Sequence, residues 1–104
     1  MKEQFDILNA LASLIYAEAP QSCDEIIYKA ETEVEEGWVE SSYSYRKDGV
    51  QYSVHLSDAC EAKVSELVVK LNDVMYEHTG GRWRIFVMKF DSTLQVSTNF
   101  EYLG

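Results

Sequence analysis

A chain of 104 residues holds one domain's worth of sequence and no more, and at this length an apolar core stands without disulfide or metal. Eighteen acidic side chains face nine basic ones, a formal net charge of −9, so the surface repels DNA, RNA and anionic lipid and suits either an electropositive protein partner or simply solubility. One Pro and five Gly exclude collagen and long flexible linkers, and residues 1–104 are read as a single domain.

The opening MKEQFDILNA spaces its apolar residues helically instead of running them together, so no secretory signal is expected. Phe5, Leu8, Leu11, Ala12, Ile15 and Ala19 form one stripe of an amphipathic helix over residues 3–19, ended by Pro20. From Ile26 the period changes to two. Ile26, Tyr28, Ala30, Thr32 and Val34 share one strand face, and Ile27, Lys29, Glu31, Glu33 and Glu35 share the other. Glu36-Gly37 is read as a turn. The next run, WVESSYSYRK, sets Val39, Ser41, Tyr43 and Tyr45 against Trp38, Glu40, Ser42 and Ser44, and pairs back as a hairpin. Lys47-Asp48-Gly49 makes a second turn into VQYSVHL, whose Val50, Tyr52 and Val54 lie on one side.

Ser57 is an expected N-cap for a second helix, in which Cys60, Val64, Leu67, Val68, Leu71, Val74 and Met75 repeat at helical spacing until Gly80-Gly81. RWRIFVMKF and LQVSTNFEY follow as strands joined at Asp91-Ser92-Thr93. RIFVMKF is apolar on both faces, the pattern of a central strand covered by helices. The order α-β-β-β-α-β-β implies an α+β fold of two layers, an antiparallel sheet of about five strands under two helices.

Catalytic residues are not found. His55 ends a strand, His78 belongs to the second helix's last turn, and although a Cys–His pair could form in three dimensions, no local spacing supports one. Cys60 falls on an apolar stripe and reads as a buried small hydrophobe. Cys23, His55, Cys60 and His78 contain no close pair of the kind structural zinc uses, so no metal, cofactor or disulfide is expected. No apolar run approaches the ~20 residues of a membrane span, and two separated thiols fit a cytoplasmic protein.

What stands out is charge. From Glu18 to Glu40 Lys29 is the only base among the acids. Glu31, Glu33, Glu35, Glu36, Trp38 and Glu40 are the candidate binding residues, with Trp38 as the aromatic anchor. Like charges on adjacent sheet positions repel, and only Lys29 is close enough in sequence to offset them. Reversing Glu31, Glu33 and Glu35 to Lys is therefore expected to leave the fold intact while weakening binding to a basic partner.

Three segments carry a family resemblance. ILNALASLIYAEAP, DEIIYKAETEVEEG and WRIFVMKFDSTLQVSTNFEYLG resemble the opening helix, acidic first strand and closing strands of the YezG-like immunity proteins of bacterial polymorphic-toxin and contact-dependent growth inhibition systems. Where the family often has Gly in the last turn, this chain has Asp91-Ser92-Thr93. The resemblance implies a cytoplasmic antitoxin, not an enzyme, that binds and neutralises a cognate toxin protein as a monomer or weak dimer. Such toxins are often nucleases, and a basic nuclease domain is the expected partner, with neither nucleic acid nor membrane bound by this chain. The alternative is a small acidic secretion chaperone that holds an effector segment.

Overall fold

The computed structural model describes residues 2–20, 23–93 and 95–102, with residue 54 described by its backbone alone. Its elements are α1 (Lys2–Ala17), β1 (Glu25–Glu33), β2 (Trp38–Lys47), β3 (Val50–Val54), α2 (Asp58–Thr79), β4 (Ile85–Phe90) and β5 (Val96–Glu101). All strand pairs are antiparallel, in the spatial order β3-β2-β1-β4-β5. Both helices lie on one face of this sheet, which makes the α+β two-layer fold.

The alternation in β1 decides which face is covered. Ile26, Tyr28, Ala30 and Thr32 are buried, and their cross-strand partners Tyr43, Phe86, Met88 and Phe90 join them. Tyr43 donates its hydroxyl to the Ile15 carbonyl at 3.1 Å, which ties the sheet to the end of α1. Tyr28 shares a 2.8 Å hydrogen bond with the Ser41 hydroxyl across β1 and β2. Burial pushes the Tyr28 phenol up to about 12, partly opposed by that hydrogen bond, and burial raises Tyr43 as well.

α2 forms where its caps are strongest. Ser57 accepts from the Cys60 amide at 3.3 Å, and Gly80 ends the helix at φ 76° with its N–H on the Tyr76 carbonyl. The chain beyond is fastened to α2 instead of continuing into a strand. Asn72, fully buried, donates to the Trp83 carbonyl at 2.8 Å, and Arg82 bonds both Asn72 and Asp73 at 2.8 Å. The predicted strand RWRIFVMKF consequently starts only at Ile85. Trp83 is buried against Phe86 and Phe100, with ring centroids 5.7 and 5.4 Å away, its indole N–H without a hydrogen-bond partner among the described residues.

Three readings of the sequence need correction. The fully buried line of α1 is Ile7, Leu11 and Ile15; Leu8, Ala12 and Ala19 of the expected stripe pack partly buried against the core, but Phe5 is 58% exposed. The two stripes overlap from Leu11 to Ile15, and contact with α2 and the sheet selects the one through Ile7. The first hairpin turn spans Val34–Gly37, because the Glu33 carbonyl accepts from both Glu36 and Gly37 and Gly37 supplies φ 79°. Val34 and Glu35 therefore leave the strand. β4 pairs with β1 and β5, and its outward Ile85 and Val87 have no helix over them. The second turn is as read: Asp48 at φ 53° and Gly49 at φ 78° are the two left-handed residues a tight hairpin needs. Leu94, which opens the predicted run LQVSTNFEY, the side chain of Val54, and Leu103 and Gly104 of the tail lie outside the described residues.

Candidate functional site

The sheet's second face carries no helix, and its composition follows from the pairing register. At its centre Ile27 and Val87 stand half-buried, with Lys29 and Lys89 exposed beside them. Toward the β1–β2 turn the face becomes acidic. Glu40 of β2 pairs with Glu31 of β1, Glu31 with Ile85 of β4, and Ile85 with Glu101 of β5. Paired residues project to the same side. One row across four strands thus presents three carboxylates around one isoleucine.

The six residues singled out from the sequence fall into three settings. Glu31 and Glu40 are direct cross-strand neighbours on this row. Glu33, one row further out, pairs with Trp38, and its carboxylate meets the Arg84 guanidinium at 2.9 Å. Arg84 is held there by a 3.2 Å bond from its Nε to the Thr32 carbonyl and by its own backbone bonds to β1 and β5. Glu35 and Glu36 belong to the turn, so the alternating row Glu31-Glu33-Glu35 does not run along β1 as the sequence suggested. Glu36 instead accepts the Trp38 indole N–H at 3.0 Å, which holds that ring at the hairpin's end.

Two members of the patch were invisible in the sequence. Glu101 and Arg84 lie far along the chain from Glu31 and Glu33, and only the β1–β4–β5 register brings them in. Besides Lys29, the one base near these acids in sequence, Arg84 offsets the acids of β1 from far along the chain: it pairs with Glu33. Glu31, Glu40 and Glu101 of the transverse row have no ion pair among the described residues.

A cleft of about 470 Å³ opens beside Glu40, where Ser41, His55 and Glu61 share its wall. Those residue types suit nucleophile chemistry, but the Ser41 hydroxyl is bonded to Tyr28, and His55 makes no hydrogen bond to Ser41 or Glu61 among the described residues. His78 is exposed on the last turn of α2. Cys60 is buried, and burial together with Glu18 raises its thiol pKa, while Cys23 is half-buried; both thiols are free. Among the described residues no cluster of three His, Cys, Asp or Glu side chains is placed to hold a metal ion, and no helix is long and apolar enough to cross a membrane. No protein-family model matches the chain, and no curated protein matches it.

Proposed function

We propose that this chain is a cytoplasmic immunity protein that neutralises a basic toxin domain, of the nuclease type, by laying the open face of its sheet against it. The observation that supports this reading most is the transverse row Glu40-Glu31-Ile85-Glu101. Facing carboxylates destabilise a sheet by a few tenths to ~1 kcal/mol per pair. A cationic partner turns that cost into attraction. A nuclease must hold phosphate, so its substrate surface is basic, and spaced carboxylates on a rigid sheet match it. Ile27, Ile85 and Val87 supply the apolar ground that an interface core requires, and Trp38 an aromatic at its rim. The formal net charge of −9 steers the encounter.

The test is co-expression. Cells producing the toxin domain encoded beside this chain's gene should stop growing, and should recover when the chain is supplied. Failure to recover, with the chain soluble and folded, refutes the proposal.

A further inference from the structure

β2 is longer than its outer neighbour. β3 stops at Val54 opposite Tyr43, so residues 38–42 have β1 on one side and no described strand on the other. The two-residue turn at Asp48-Gly49 makes Lys47 and Val50 a hydrogen-bonded pair, and alternation then points the backbone groups of Tyr45 and Tyr43 at β3. Continued along β2, the same alternation aims the N–H and C=O of Ser41 and Val39 out of the free edge. Sheets commonly blunt or cover such an edge. This one borders the cleft of about 470 Å³, lined by Val39 and Ser41 and by three acidic residues, Glu31, Glu40 and Glu61, against Lys29 and His55.

We propose that the free edge of β2 at Val39–Ser42 accepts an extended segment of the partner protein by strand addition, and that this segment carries a Lys or Arg whose side chain enters the cleft. The backbone edge supplies the hydrogen bonds and the three carboxylates choose the sign of the guest. A second copy of this chain is the wrong occupant. Antiparallel pairing that overlaps residues 38–42 of two copies in full lays Glu40 of each against the other's, and any such pairing joins two chains of net charge −9. The partner's identity rests on the toxin reading above, since the toxin domain supplies the segment; the acceptor edge does not.

The experiment uses the intact chain and no toxin. Isotope-labelled protein is titrated with a short capped peptide of alternating Lys and Val, followed by amide shifts and hydrogen exchange. Two controls are the same peptide N-methylated at every internal residue and its Glu-for-Lys counterpart. The expected result is slowed exchange at Val39 and Ser41, affinity reduced at least about tenfold by N-methylation, and no binding of the acidic peptide. Binding that survives N-methylation, unchanged exchange at Val39 and Ser41, or absence of binding by the Lys peptide overturns the proposal. So does protection of those amides in the free protein that grows with concentration, which would assign the edge to a second copy. A chain that binds the peptide but protects no cell refutes the toxin reading alone, and one that protects cells but ignores the peptide refutes the edge alone.

Discussion

Replacing Glu40 by lysine should make the protein more stable, because Glu40 stands directly opposite Glu31. Side chains so paired have Cβ atoms about 4.5–5.5 Å apart. Two unit charges at ~5 Å in water repel by roughly 0.8 kcal/mol, so reversing one sign swings the interaction by about twice that. Screening over ~8 Å at physiological salt and splaying of the exposed Glu40 side chain reduce the gain to roughly 0.5–1 kcal/mol. For a domain of this size that corresponds to a rise in Tm of about 2–8 °C. Thermal melts of the parent, Glu40→Lys, Glu31→Gln and the double variant form a cycle, in which the gain from Glu40→Lys should largely vanish when Glu31 is uncharged. A gain that persists in the Glu31→Gln background, or no gain in the parent, would refute the claim that the row is electrostatically strained. Glu33→Lys should behave oppositely and lower the Tm, since it removes the 2.9 Å pair with Arg84 and sets two cations together. The triple reversal of Glu31, Glu33 and Glu35, expected from the sequence to leave the fold intact, should therefore combine opposed effects on stability, relief at Glu31 and a lost pair at Glu33.

Three further outcomes test the packing. Leu11→Ala, at a fully buried site, should cost about 2–5 kcal/mol in urea unfolding, whereas Phe5→Ala, at a 58% exposed site, should stay within about 0.5 kcal/mol; equal costs would mean the face assigned to α1 is wrong. Gly80→Ala should lose about 1 kcal/mol, because φ 76° disfavours a side chain although nothing lies within 4 Å of the added carbon. Tyr28 and Tyr43 hold their protons more tightly folded than unfolded, so their contribution is intact below about pH 10 and falls as pH rises toward the folded value of about 12 for Tyr28. Each contributes a slope near 1.4 kcal/mol per pH unit in that window. Tyr28→Phe should flatten the alkaline limb of the stability curve, and an unchanged limb would contradict the assigned burial.

The parts of the fold that were legible were those written in local period and local punctuation. β1 alternates because one face meets the core, α2 starts at a side-chain cap and stops at a left-handed glycine, and the first two hairpins follow from their glycines. Alternation misled at Val34 and Glu35, since the polar pattern continued past the point where the Glu33 carbonyl closed the turn. In α1 two apolar stripes competed, and the choice between them depended on neighbours distant in sequence. The candidate site was half legible for the same reason. Glu31 and Glu40 lie within one hairpin and were found; Glu101 and Arg84 arrive through the order β2-β1-β4-β5, which no local pattern encodes.

The proposed meeting of the carboxylate row with a basic toxin domain is tested most directly by the rate at which this chain associates with that proposed partner, measured by stopped flow across a salt series for the parent and a Glu31→Lys, Glu40→Lys, Glu101→Lys variant of confirmed fold. Steered encounters reach 10⁸–10⁹ M⁻¹s⁻¹ at low salt against roughly 10⁵–10⁶ for unsteered ones. The parent should associate quickly at low salt and slow steeply as salt rises, and the variant should be slow and nearly insensitive to salt. Identical rates and identical salt dependence for the two proteins would contradict the account, because the transverse carboxylate row would then play no part in meeting the partner.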